Sequence, residues 1–190
     1  MTIDVVPLSK TALVEYAGIP IAFDVTTVLH IARDHGGDRI ELVELPVETS
    51  YVKDYDAHHT PMQWPARFDT SQWILVIARV DGACVGGATV ACATPEVDPI
   101  EGRADLAVLW DIRVRPEHRR RGVGATLFGA VEIWTSTRGY RELKAETQNI
   151  NVAACRFYAR RGCVLRAVHD GVYPECPDEV QLLWYKNLAQ

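Results

Sequence analysis

The chain has 190 residues, 48% of them hydrophobic and 24% charged, with a net charge of −5 at pH 7. That is enough chain for one ordinary domain with a real core, and too apolar for a disordered segment. No apolar run approaches the ~20 residues that span a bilayer, and the acidic balance disfavours nucleic acid as a general partner. Five cysteines, at 84, 92, 155, 163 and 176, include no C-x-x-C pair, and an odd number argues against a disulfide framework. Met1 is followed by neither the basic nor the apolar region of a signal peptide, so a reducing cytoplasm is the expected compartment.

In chain order, residues 3–7 read as a short strand, and 21–31 carry β-branched residues that suit a strand or a short helix. Residues 40–47 alternate apolar and polar, as a half-buried strand does. The segment 48–68, rich in Tyr, His, Asp and Pro, reads as a loop with a helical turn. Two apolar runs, 73–80 and 83–93, flank Asp81-Gly82 and predict a hairpin. Residues 94–102 hold Pro95 and Pro99 and form a connection. Residues 107–114 are the central strand. Val123, Leu127, Ala130, Val131 and Trp134 then recur at helical spacing until Gly139. A strand around Lys144 leads to a helix capped by Asn151 and stopped by Gly162. Residues 164–173 and 180–185 close the chain as two strands around Pro174 and Pro177. With no repeat, low-complexity tract or linker, the expectation is one mixed α/β domain over 1–190.

The run Arg119-Arg120-Arg121-Gly122-Val123-Gly124-Ala125 stands at the junction between the central strand and a helix. Glycines spaced by two let backbone N–H groups converge, and the helix start adds unpaired N–H groups and a positive dipole end. With three arginines this makes a seat for a phosphate-bearing ligand. It is neither a Walker loop nor the dinucleotide fingerprint, because the residue three past Gly124 is Leu127. His58 and His59 are adjacent, with no H-E-x-x-H or Cys/His quartet, so they read as surface loop histidines and no metal is expected.

The pattern Arg119-x-x-Gly122-x-Gly124 resembles the pyrophosphate loop of GNAT-superfamily N-acetyltransferases, which bind acetyl-CoA. Asn151-Val152-Ala153-Ala154, followed by Phe157-Tyr158 and Gly162, resembles the second hallmark of that superfamily, in the same order. The stretch from Glu146 to Cys155 is similar to the streptothricin acetyltransferase branch. So are Phe23-Asp24-Val25, Ser50-Tyr51-Val52-Lys53-Asp54-Tyr55, the Tyr173 region and the tail from Asp178 to Tyr185. One departure stands out: Trp110 sits where that branch commonly has an acidic residue.

The resemblance implies a GNAT-like fold, a central, mostly antiparallel sheet flanked by helices, with acetyl-CoA as cosubstrate. It implies that backbone N–H groups near Ile112 and Val114 hold the pantetheine arm and polarise the carbonyl. Arg119, Arg120, Arg121, Gly122, Val123, Gly124 and Ala125 would take the pyrophosphate, and Asn151 and Ala154 would border the cofactor. Tyr158 would protonate the departing thiolate; read from the residues alone, it is equally an amphipathic tyrosine at the end of a buried helix. Asp111 or Glu146 would receive the amine proton, directly or through water, or bind the cation, unless Arg113 or Lys144 ties one of them up. Trp110, Tyr51, Asp54, Tyr55 and Tyr173 are the candidate acceptor contacts, with Asp56 beside them in a lid. The implied acceptor is a small cationic amine, streptothricin first. An aminoglycoside, a polyamine, or a protein N-terminus or lysine are the alternative acceptors. A non-catalytic acyl-CoA-binding module is the reading from another class. Dimerisation is common in the superfamily, so a homodimer comes with the resemblance.

Overall fold

Asp81 and Gly82 both take positive φ, 51° and 82°. That is the type I′ turn whose twist matches the flanking strands. It joins β4 (Ile74–Val80) to β5 (Ala83–Ala91), as the dipeptide predicts. The computed structural model describes residues 1–33, 40–57, 59–95, 97 and 100–188. His58 and Pro99 therefore lie outside the described residues.

The remaining strands are β1 (Thr2–Pro7), β2 (Phe23–Arg33), β3 (Ile40–Lys53), β6 (Leu106–Val114), β7 (Glu142–Gln148), β8 (Val164–His169) and β9 (Gln181–Asn187). The helices are α1 (Lys10–Ala17), α2 (Trp64–Arg67), α3 (Val123–Thr137) and α4 (Val152–Arg160). Strands order as β1-β4-β5-β6-β7-β9-β8 in one sheet, and β2 pairs with β3 in a second. The pairs β1/β4, β4/β5 and β5/β6 are antiparallel, whereas β6/β7 is parallel. This is the mixed, mostly antiparallel sheet with helices that the resemblance implies.

The chain divides into two compact units. The first comprises Met1–Ile21, Asp54–Ala145 and Tyr185–Gln190; the second comprises Ala22–Lys53 and Glu146–Trp184. The first unit has a core of Leu13, Tyr16, Ile19, Trp64, Trp73, Leu75, Ile77 and Val108, against which Phe68 and Trp110 pack. Gly86 and Gly87 permit this packing. A Cβ at Gly86 would meet the Arg113 carbonyl at 3.0 Å and Val123 Cγ1 at 3.1 Å, so its absence lets α3 lie close on the sheet. The second unit buries Val25, Leu29, Val152, Cys155, Tyr158 and Leu182. Asn149 ties its parts together: its amide donates to the Leu29 carbonyl (3.2 Å), and its Oδ1 accepts from Val180 N–H (2.9 Å).

Three local features differ from the sequence expectation, and one open alternative is resolved. Helix α1, capped by Ser9 Oγ on Ala12 N–H (3.3 Å), was not anticipated. Residues 48–53 continue β3 instead of forming a loop, with Val25↔Tyr51, Asp24↔Val52 and Phe23↔Lys53 in register. Their strand identity is masked by exposure: Tyr51 and Val52 are 45% and 65% exposed, so no alternation marks them. The strand or short helix expected at 21–31 is a strand, β2, beginning at Phe23, as one of those alternatives has it. Finally, β8 stops at His169, and Gly171 at φ 72° turns the chain, so Tyr173 stands in a turn and not in a strand.

Candidate active site

The first unit carries two features suited to binding an acyl carrier. On β6, Arg115 N–H donates to Val85 O (2.9 Å), and the register runs on through Val114↔Gly86, Arg113↔Gly87, Ile112↔Ala88 and Asp111↔Thr89. Bonded and non-bonded pairs alternate in an antiparallel ladder. The N–H groups of Arg113 and Asp111 therefore point to β5, and those of Ile112 and Val114 point to the opposite edge. The parallel ladder with β7 covers only Leu106↔Glu142 to Leu109↔Ala145. Among the described residues that ladder stops at Leu109, so the N–H groups of Ile112 and Val114 lie outside it.

The second feature is the loop at the α3 start. Arg120 and Gly122 both adopt positive φ, 62° and 86°. Such left-handed residues turn successive N–H groups toward one concavity, next to the helix N-terminus. Thr126 N–H makes the first intrahelical bond, to Gly122 O (3.0 Å). The N–H groups of Gly122, Val123, Gly124 and Ala125 thus precede the helical ladder. Arg120 and Arg121 are exposed. Arg119 is folded back: its Nε donates to Val114 O (3.0 Å) and a terminal nitrogen to Pro20 O (3.3 Å). It braces the loop against the end of β6.

Asp111 and Trp110 are set by a β-bulge. Thr89 opposes Asp111 while Val90 opposes Leu109, so Trp110 is the extra residue. Its ring packs 5.2 Å from both Trp73 and Phe68 and edge-on to Trp64 at 6.5 Å. Trp110 is thus part of an aromatic cluster. Asp111 is engaged by the buried Arg113 guanidinium. Arg113 also donates to Asp56 (2.8 and 3.2 Å) and to Ile19 O (3.1 Å), and it lies over the Tyr16 ring at 4.9 Å. Burial pushes the Asp111 carboxyl above its ordinary range, against the pull of Arg113. The hydroxyls of Tyr16 and Thr89 are buried beside it without a well-formed hydrogen bond. Asp54 caps the short turn Tyr55–Ala57 through Asp56 N–H (3.0 Å), which accounts for its side chain locally.

In the second unit, Tyr173 donates its hydroxyl proton to Glu146 Oε1 (2.7 Å) and accepts from Gln148 Nε2 (2.9 Å). Two predicted residues therefore meet, and Gln148, which the sequence did not single out, orients the phenol. Lys144 is paired with Glu101 (2.6 Å) in the first unit, so it does not neutralise Glu146. Asn151 caps α4 by accepting from Ala154 N–H (3.0 Å). Tyr158 lies two turns along that helix, buried, with Phe157 and Trp184 rings at 5.4 and 6.4 Å. Tyr51 stands beside the turn that carries Tyr173; burial and the nearby Glu179 charge raise its phenol pKa. Among the described residues no cluster of His, Cys, Asp and Glu could hold a metal ion, and no helix is long and apolar enough to cross a membrane.

A model of the acetyltransferase (GNAT) family matches residues 40–163. The chain belongs to that family. Streptothricin acetyltransferase A of Bacillus subtilis (strain 168) is 35% identical over 81 residues, 42% of this chain and 47% of that protein. This GNAT chain therefore spans about half the length of that relative in the match. The Streptomyces lavendulae streptothricin acetyltransferase is 24% identical over 90% of this chain and 86% of its own. Among solved structures, nourseothricin acetyltransferase superposes with TM-score 0.76 at 22% identity, over 100% of both chains. A Bacillus anthracis str. Ames protein assigned as a streptothricin acetyltransferase, solved with acetyl coenzyme A, gives TM-score 0.76 at 25% identity, over 98% of this chain and 99% of that one. The GNAT fold is common to both.

Proposed function

We propose that this single GNAT domain, residues 1–190, is a cytoplasmic N-acetyltransferase. It moves acetyl from acetyl-CoA to a primary amine of a small cationic acceptor, with streptothricin as the leading candidate. The observation that carries the reading is the edge of β6 outside its ladder with β7, combined with the donor-lined start of α3. Two N–H donors at Ile112 and Val114, followed by a nest of N–H groups and exposed Arg120 and Arg121, fit a ligand with an amide-bearing arm and a pyrophosphate. The names of the relatives support the acceptor.

In the reaction the amine nitrogen attacks the thioester carbonyl; the C–N bond forms and the C–S bond breaks. Ile112 and Val114 N–H groups stabilise the oxyanion, fixed donors being the largest source of catalysis in acyl transfer. Tyr158 gives its proton to the departing thiolate and is reprotonated, through water, by the second proton that the attacking nitrogen sheds as the amide forms, a role suited to a phenol with a reference pKa of about 10. Glu146 takes the proton from the acceptor ammonium or holds that cation, with Tyr173 on its second flank. Between the two candidate carboxylates the geometry favours Glu146, because Arg113 occupies Asp111. Trp110 and Asp54, each engaged locally, are left as secondary acceptor contacts, and Tyr55 and Tyr51 complete that set.

The test is steady-state thiol release with acetyl-CoA and a panel of cationic amines. Tyr158→Phe is expected to lower kcat by about 10²–10⁴, the range for a positioned acid, with the acetyl-CoA KM little changed. Full activity in Tyr158→Phe would remove the phenol from the mechanism. Tight acetyl-CoA binding without turnover of any amine would favour a binding module instead.

A further inference from the structure

The turn from Tyr173 to Glu179 reads Tyr-Pro-Glu-Cys-Pro-Asp-Glu and carries three carboxylates. Local bonding builds it as two consecutive turns: Cys176 N–H donates to Tyr173 O (3.0 Å) and Glu179 N–H to Cys176 O (2.9 Å). Displacing Cys176 or Glu179 therefore displaces Tyr173. At the end of β3, Lys53 reaches this turn across more than 120 positions of sequence. Its ammonium donates to Glu179 Oε1 (2.5 Å) and to Cys176 Sγ (3.4 Å). The pair is largely shielded, with side-chain exposures of 20% and 12%. Both hinge points of the double turn are thus held by one cation, and Asn149 pins its far end at Val180. At the other end the Tyr173 hydroxyl rests on Glu146 and Gln148.

We propose that Lys53 is a positioning residue for the acceptor: it clamps the 173–179 turn so that Tyr173 keeps its hydroxyl on Glu146. This rests on the reading that Glu146 and Tyr173 meet the acceptor amine. Lys53 does not itself touch the acceptor, since a cation facing a cationic substrate would repel it. Its ammonium is spent on Glu179: burial alone pulls the Lys53 pKa down, but the carboxylate outweighs it and raises it. Neutralising Glu179 also leaves Glu175 and Asp178, both exposed, as the turn's net negative charge. That suits the same acceptor class.

The experiment compares Lys53→Met, Lys53→Arg, Lys53→Met/Glu179→Gln and Tyr173→Phe by steady-state kinetics, amide hydrogen exchange and thermal melting. In Lys53→Met the Cys176 and Glu179 amides exchange faster. The acceptor KM rises about three- to tenfold, the scale of one or two lost tethers, while kcat and the acetyl-CoA KM stay within about twofold. Lys53→Arg restores most of the acceptor KM. The double variant, free of an unpaired and largely shielded carboxylate, regains Tm but not acceptor KM. A double variant that regains both shows a purely structural role and overturns the proposal, as does unchanged exchange in Lys53→Met. Faster exchange with an unmoved acceptor KM in both Lys53→Met and Tyr173→Phe would instead overturn Tyr173 as an acceptor contact.

Discussion

A Cβ built at Gly87 would lie 2.7 Å from both Cδ2 and Cε2 of Tyr16 and 3.0 Å from the Val76 carbonyl oxygen. Carbon atoms pack best at about 3.5–4.0 Å, so Gly87→Ala asks Tyr16 to retreat by roughly 1 Å. Tyr16 has little room to do so. It is fully buried, the Arg113 guanidinium lies over its ring at 4.9 Å, and Trp64 packs at 6.1 Å. Overpacking of this kind costs about 1–3 kcal/mol. For a chain of this size each kcal/mol shifts Tm by about 2–4 °C, so the variant should melt about 2–12 °C below wild type. Gly129→Ala is the matched control. It lies inside α3 and its Cβ would meet nothing within 4 Å, so it should stabilise by about 0.5–1 kcal/mol. Thermal unfolding followed by circular dichroism measures both. A Gly87→Ala protein that melts with wild type would refute the argument that this glycine exists to seat Tyr16 beside Arg113.

Asn151→Ala removes the α4 cap and should cost about 1 kcal/mol, within a range of about 0.5–2, read by denaturant titration. Cys176 is half-buried, whereas the other four cysteines are buried. Burial pushes the Cys92 and Cys155 thiols up to about 11 and about 12. Iodoacetamide applied to the native protein at mildly alkaline pH should therefore label Cys176 first, and peptide mass mapping would expose any other order. The Arg79 hydrogen bonds hold the Glu15 carboxyl below its ordinary range. A depressed native value means that this contribution is present above the unfolded pKa and fades as pH falls through the native one. Stability of Glu15→Gln against pH should accordingly lose part of its acid limb; a superimposable profile would dismiss the pair as a contributor.

What was legible in the sequence was what local chemistry encodes. The Asp81-Gly82 turn, the Asn151 cap and the positive-φ glycines at 122, 139 and 162 are short-range instructions, and the structure follows each. The mixed α/β character was readable from such elements in chain order, whereas the mostly antiparallel sheet was implied only by the GNAT resemblance. Strand β3 beyond residue 47 was illegible because its exposed side chains carry no buried face to alternate with. The bulge at Trp110 was equally hidden, since register is a property of two strands and no motif announces it. The same holds for the candidate site. That Arg113 could tie up Asp111 was legible two residues away on the same strand, but the further reach of Arg113 57 positions back to Asp56 is a tertiary fact. An Asp and an Arg two apart inside a mostly apolar strand were the available signal. Lys53 with Glu179 and Gln148 with Tyr173 carried no local signal at all.

The most direct measurement is the mass of streptothricin after incubation with acetyl-CoA and the purified protein. The account predicts a gain of one acetyl group, with one free thiol released per acceptor modified, and strong loss of both in Tyr158→Phe. Unmodified streptothricin together with acetylation of a different amine would contradict the acceptor assigned here. No acetylated product from any amine would contradict the transferase itself.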